Sequence, residues 1–255
     1  QTKEDRQLLY IYLRKLYGKE QATELMVKHK NNLFGQNGLS YALGKRSIPF
    51  FCLYYLQDVF RIKDNNDARE LADFHYEIWN TLENMVIKDE FDRLVLVLPR
   101  GHSKTTTITF ALVVYMAVYQ LSFYTIVQGK TENDAQKFIF EVRNALENND
   151  YIKETFGELI NSRRFTVNKN EMHLTTDVKI EAISSTSSMR GRKHLGKRPT
   201  LIICDDIQGL DDVISDSAKE KKMETFQKDV LYAGDTAVYR KDKKVKSGTK
   251  YIILG

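Results

Sequence analysis

The chain has 255 residues, with 39 Lys and Arg against 34 Asp and Glu, for a formal charge of +5. A hydrophobic content of 42% supports a substantial core and excludes a disordered chain, and 13 Gly with 3 Pro exclude a collagen-like or linker-dominated one. The longest apolar stretch, in 106–121, is interrupted by Thr, Tyr and Gln and falls short of the roughly 20 residues a membrane span needs.

Cys52 and Cys204 lie far apart in apolar surroundings, which predicts buried reduced thiols and a cytosolic setting. The sequence opens at Gln1 with no secretory-signal pattern, and its histidines have no zinc-site spacing.

In chain order, 1–34 predicts two helical stretches with charged outer faces, and the Gly/Asn-rich 31–48 predicts a loop. Pro49 opens an apolar, aromatic run. Within 67–86, Leu71, Phe74, Ile78, Leu82 and Met85 recur at helical steps. The apolar run 94–99 predicts a strand buried on both faces. Residues 104–120 predict a helix apolar nearly all round, whose Thr and Val content requires burial to hold it. A second buried strand is expected over 123–128, then a helix capped by Thr131 with Ala135, Phe138, Val142 and Leu146 on one face. Shorter strands follow in 163–185, with period-two alternation in 178–184, and then a polar, basic loop over 185–200. Residues 200–206 predict a buried strand ending in carboxylates. Ser217 with Glu220 predicts a capping box for a helix to about 230. A last strand closes the chain in 250–255. Such alternation predicts an α/β fold, a mostly parallel sheet with helices on both faces. The expected division is an N-terminal helical segment, 1–48, and a second domain, 49–255.

Two segments carry chemistry. In LVLVLPRGHSKTTTITF, a strand ends at Leu98, a loop runs from Pro99 to Ser103, and Lys104, Thr105 and Thr106 open a helix. That is the order of a phosphate-binding loop. Backbone N–H groups at the helix N-terminus attract anionic oxygens, a Lys reaches the β- and γ-phosphates, and a Thr hydroxyl ligates Mg²⁺. Against G-x-x-x-x-G-K-[ST], Leu98 stands for the first Gly and Ser103 for the second, so only Gly101, Lys104 and Thr105 supply familiar features. Alone, the segment is equally an ordinary strand–turn–helix with an exposed Lys. QGKT at 128–131 matches the motif ending better, but the strand runs straight into Gly129 and leaves no loop to wrap a phosphate.

The second segment is LIICDD, an apolar run ending in Asp205 and Asp206. In a Walker B strand the first acid binds Mg²⁺ and the second orients or deprotonates the attacking water. A lone Asp-Asp pair is more commonly a solvated turn. The combination matters more, because both segments end parallel strands at the edge where open α/β sheets bind ligands. Basic residues also collect in 190–198 and 240–250, either as solvated faces or as contacts to nucleotide phosphate or nucleic acid backbone.

PRGHSKTT followed by MRGRKHLGKRPTLIICDDI resembles the N-terminal ATPase domain of the large subunit of tailed-bacteriophage terminases, the motors that package DNA. ADFHYEIWNTL resembles the adenine-contacting segment, YTIVQGKTENDAQ the strand–helix after the P-loop, and YIILG the strand leading to the coupling motif. The resemblance covers about residues 50–255. It implies a P-loop NTPase of the ASCE/RecA-like kind that hydrolyses ATP with Mg²⁺ to move double-stranded DNA into the procapsid. It implies that Arg100, Gly101, His102, Ser103, Lys104, Thr105 and Thr106 cradle the nucleotide and that Phe74 and His75 contact adenine. Thr105 and Asp205 would hold the metal, Asp206 would act as base, and Arg100 would stabilise the γ-phosphate in its own or a neighbouring subunit. Asp206 stands where many members have Glu. Implied partners are duplex DNA, the portal protein and the small terminase subunit. The implied assembly is a pentameric ring on the portal and a monomer in isolation, in the host cytoplasm without a membrane. The family's nuclease domain is expected to lie outside this chain. Two other readings stay open: a P-loop helicase or translocase of another family, and a DNA-binding or assembly module that does not hydrolyse ATP.

Overall fold

A computed structural model describes residues 1–63, 66, 68, 70–99, 103–207 and 216–255. The first elements are helices: α1 (Lys3–Tyr17), α2 (Lys19–Lys28), α3 (Leu39–Gly44), α4 (Ile48–Tyr55), α5 (Gln57–Phe60) and α6 (Asp73–Val86). Strand β1 (Arg93–Leu96) precedes a π-helical segment, Thr105–Phe110, that runs into α7 (Ala111–Val118). Then come β2 (Tyr124–Gly129), α8 (Glu132–Asn148), α9 (Asp150–Phe156), β3 (Glu171–His173), β4 (Lys179–Ser184) and β5 (Leu201–Asp205). After α10 (Asp216–Thr225) and a second π segment, Phe226–Val230, the chain ends with β6 (Val238–Arg240), β7 (Lys243–Lys246) and β8 (Lys250–Leu254).

The chain divides into two compact units, Gln1–Lys88 with Asn144–Leu159, and Asp89–Arg143 with Ile160–Gly255. In the first, α4 explains the grouping. Its sequence is apolar all round, and it contacts α1, α3, α6 and α9, so nearly every side chain finds a neighbour. The Ser47 hydroxyl accepts from the Phe50 N–H at 3.3 Å and caps it, with Pro49 in the first turn where its missing N–H costs nothing. Residues 49–88 therefore cluster with the N-terminal helices, and the compact-unit division falls away from position 48. The buried Asp5 carboxylate is satisfied by the Thr2 N–H, the Tyr151 hydroxyl at 2.9 Å and Arg61 at 3.4 Å.

The second unit holds a six-stranded sheet in the order β1-β8-β5-β2-β4-β3. All neighbours pair in parallel except β3, which runs antiparallel to β4. The fold is α/β, a mostly parallel sheet with helices. The last strand in sequence, β8, inserts between β1 and the acid-ending β5. Every residue of β5 is buried, as a strand covered on both faces requires. The segment from Thr107 to Tyr119 is buried throughout, which offsets its poor helix propensity.

Five expectations change. β1 is not buried on both faces: it is the end strand, bonded only to β8, and Val95 is 63% exposed. β4 does not alternate, because it lies inside the sheet and five of its six residues are buried. The 31–48 segment contains α3, and the helix expected from 67 starts at Asp73. Helix α10 already includes Asp216, so Ser217 lies inside it and not at its cap. Both cysteines are buried and free. Among the described residues no helix is long and apolar enough to cross a membrane.

Candidate functional site

The site forms at the C-terminal edge of the parallel strands. Beyond β1 the Leu98 N–H donates to the Gly255 carbonyl at 3.0 Å, so the chain stays beside β8 before it turns toward the helix. Arg100, Gly101 and His102 lie outside the described residues. Ser103 has φ of 50°, the left-handed region that glycine occupies freely and other residues enter at a cost of roughly 1–2 kcal/mol. The backbone thus adopts at Ser103 the conformation that explains a Gly in the motif. The Ser103 carbonyl accepts from Thr107 N–H at 2.8 Å, and Lys104 has helical angles, φ −56° and ψ −42°. The helix therefore begins with Lys104 and Thr105 in its first turn. Its π form, with i→i+5 bonding, is a local distortion that recurs at functional sites.

Asp205 and Asp206 have opposite environments. Asp205 is 8% exposed. Its Oδ2 accepts from the Thr109 hydroxyl at 2.9 Å, and its Oδ1 has no hydrogen-bond partner among the described residues. Burial raises its pKa, while the Thr109 and Thr105 hydroxyls and the Lys104 charge pull it back down. Asp206 turns out to solvent with φ of 49°, and its N–H donates to the Leu254 carbonyl at 3.1 Å. Asp tolerates this left-handed conformation better than most residues.

A buried carboxylate oxygen without a partner is costly unless a cation or donor meets it. Asp205 opens on a cavity of about 490 Å³ whose walls include Thr105, Gly129, Lys130, Lys137, Glu141 and Asp206. No group of three or more His, Cys, Asp or Glu among the described residues could hold a metal by itself. One carboxylate, one hydroxyl and substrate oxygens suit Mg²⁺, which keeps much of its water and takes few protein ligands. The donor set of Asp205 and Thr105 fits such an ion. Inside the cavity, burial raises the Glu141 pKa and Lys137 lowers it.

The structure thus brings Lys104, Thr105, Asp205 and Asp206 to one edge. Thr106 sits on the same first turn and is half-buried. Phe74 and His75 belong to α6 in the first unit, with ring centroids 3.9 Å apart, and the Ala72 N–H donates to His75 Nδ1 at 3.0 Å. That bond gives His75 a helix-capping role. At 128–131 the strand runs to Gly129 and α8 starts at Glu132. Thr131 Oγ1 accepts from Asp134 N–H at 3.1 Å and donates to Asp134 Oδ2 at 2.6 Å, so its hydroxyl caps the helix.

Sequence reasoning missed Thr109 and Lys130. Thr109 lies four residues after Thr105, on the same helix face, and that spacing was a readable signal. Lys130, in the segment that the sequence assigns to a strand–helix turn, lines the same cavity.

No protein-family model matches the sequence, and no curated protein matches it significantly. Among solved structures, the chain is similar to the crystal structure of the HK97 bacteriophage large terminase, at 12% identity and a TM-score of 0.41. The match covers 76% of this chain and 34% of that one, so the chain spans about a third of that protein's length.

Proposed function

We propose that this chain is the ATP-hydrolysing motor domain of a terminase-like enzyme that moves double-stranded DNA. The observation that carries the reading is the buried Asp205 carboxylate, whose Oδ1 has no partner among the described residues, beside Thr105 and Lys104 at the C-terminal sheet edge. Supporting it, β8 separates the strand before Lys104 from the strand that bears Asp205, as in the additional-strand class of P-loop NTPases.

In this reading Lys104 and the backbone amides at the helix start bind the β- and γ-phosphates. Thr105 and Asp205 hold Mg²⁺, which neutralises charge on the phosphates when bound. Thr109 orients Asp205 through its hydroxyl. Asp206, exposed at the cavity wall, accepts a hydrogen bond from the attacking water and takes its proton. Phosphoryl transfer asks mainly for such positioning and charge stabilisation. Arg100 supplies positive charge to the γ-phosphate, in its own or a neighbouring subunit. The partners are duplex DNA, a portal protein and a small terminase subunit, the working assembly is a ring, and the setting is the host cytoplasm.

The test is Mg²⁺-dependent ATP hydrolysis by the wild type, Lys104→Ala and Asp206→Ala at rising protein concentration, with and without linear duplex DNA. Turnover lost in both variants, and rising faster than linearly with wild-type concentration, supports a motor completed by its neighbours. Absence of both turnover and ATP binding overturns the reading and leaves a DNA-binding or assembly module.

A further inference from the structure

The opposite edge of the same sheet is basic. Strands β6 and β7 form a separate two-stranded ribbon, with Arg240 opposite Lys243 and Tyr239 opposite Lys244. Lys241 and Asp242 join them with φ of 47° and 60°, positive at both central residues as in the tight hairpin turns that match strand twist. Every ribbon residue except Lys244 is exposed.

Its root is anchored and its tip is not. Lys244 donates to the Asp89 carbonyl at 2.9 Å, Ser247 to Asp89 Oδ2 at 2.8 Å, and Lys246 to Asp235 Oδ2 at 2.9 Å. Thr249 Oγ1 donates to the Pro199 carbonyl at 2.6 Å, just before β5. Arg240, Lys241 and Lys243 have no ion partner among the described residues. Arg240 and Lys243 are like charges directly opposite on one face, an arrangement that destabilises a ribbon on its own. With three cations, Arg240, Lys241 and Lys243, against the single acid Asp242, the ribbon tip carries a net positive charge that suits an external anion.

The basic surface continues beyond the ribbon. Asp235 also forms an ion pair with Arg198, Nε to Oδ1 at 3.6 Å, and Arg198 lines a cavity of about 300 Å³ with Arg190, Arg192, Lys193 and Tyr232. Arg192 is neutralised by Glu181, whereas Arg190 and Lys193 have no ion partner among the described residues. Both ribbon and cavity adjoin the N-terminal ends of β5 and β8, a strand length of about 15 Å from Asp205.

We infer that the β6–β7 ribbon is a contact surface for the phosphate backbone of duplex nucleic acid. A two-stranded ribbon has the width to approach a duplex groove, and a tip with three Lys and Arg against one Asp suits phosphates more than base edges. The inference rests on the DNA partner in the proposed function and assigns that partner a place on the chain.

The test is fluorescence anisotropy with a labelled random-sequence duplex across a salt series. It compares the wild type, the ribbon triple Arg240→Ala/Lys241→Ala/Lys243→Ala, and a charge-matched triple on exposed residues of the first unit, Lys3→Ala/Lys28→Ala/Lys30→Ala. The ribbon triple is expected to lower the slope of log K against log salt by about 2–3, since each phosphate contact contributes about 0.9. The control triple is expected to keep the wild-type slope, and basal ATP turnover without DNA is expected to be the same in all three. An unchanged slope in the ribbon triple overturns the assigned surface and leaves the DNA partner standing. No binding by the wild type overturns both. Tighter binding to single strands than to duplex overturns the duplex assignment.

Discussion

The chain contains two strand-to-helix junctions with a Lys-Thr pair at the same edge of one sheet, and they do different things. At 128–131 the strand's own hydrogen bonding runs to Gly129, and Thr131 spends its hydroxyl on Asp134 to start α8. At 103–105 Ser103 is left-handed, and Thr105 stands beside a buried carboxylate with one oxygen unpartnered among the described residues. The junction that looks better as a string is a helix cap. The irregular one lies beside the buried Asp205 carboxylate, whose Oδ1 has no partner among the described residues, and the proposed triphosphate site rests on that oxygen. What separates them is which backbone and side-chain groups remain uncommitted after the local structure is made.

The largest expected difference is between the two lysines. Lys104→Ala should reduce Mg²⁺-dependent ATP turnover by about 10²–10³-fold, the usual effect of removing a main electrostatic stabiliser of the transition state. Lys130→Ala, at the wall of the same cavity, should cost less than about tenfold. Steady-state phosphate release measures both, and equal losses would erase the distinction.

Asp205 sharpens the contrast through pH. Its folded pKa is raised above the ordinary 3.8 by burial. Stability is therefore fully present below the unfolded value and is lost as pH rises through the folded one. Asp205→Asn should remove that slope and raise the melting temperature at pH 7 without metal by about 2–4 °C per kcal/mol recovered. It should abolish turnover, and added Mg²⁺ should no longer raise the melting temperature in the presence of ATP. Melting curves across pH, with and without Mg²⁺ and ATP, check both halves.

The threonines should separate stability from activity. Thr131→Val should cost about 1 kcal/mol through loss of a helix cap and leave turnover unchanged. Thr109→Val should cost about 1–2 kcal/mol by leaving Asp205 Oδ2 unpartnered, and should slow turnover by releasing the carboxylate. The smallest effect is expected from Ser103→Gly, which relieves the left-handed strain and should stabilise by less than about 1 kcal/mol, because glycine's greater unfolded freedom offsets part of the gain. Chemical denaturation resolves these three.

The sequence made much of this legible, for physical reasons. β2 and β5 are continuous apolar runs because both of their faces are covered, and the helix after Lys104 was readable as needing burial. β1 reads the same way in sequence but is the end strand, since an apolar run reports strand tendency and not position in the sheet. α3 was hidden by Gly and Asn at its flanks. The ribbon was visible only as a basic stretch, because its turn uses Lys241 and Asp242 in place of the Asn-Gly that signals such hairpins. The pairing of Thr109 with Asp205 depends on a contact between distant segments, and only the helical spacing from Thr105 pointed to it.

The central claim is that the junction at Ser103–Thr105 binds the triphosphate and the one at Gly129–Thr131 does not. Calorimetric titration of Mg²⁺ with a non-hydrolysable ATP analogue into the wild type, Lys104→Ala and Lys130→Ala tests it directly. The account predicts binding by the wild type and Lys130→Ala, with loss in Lys104→Ala. Binding retained in Lys104→Ala and lost in Lys130→Ala would contradict it.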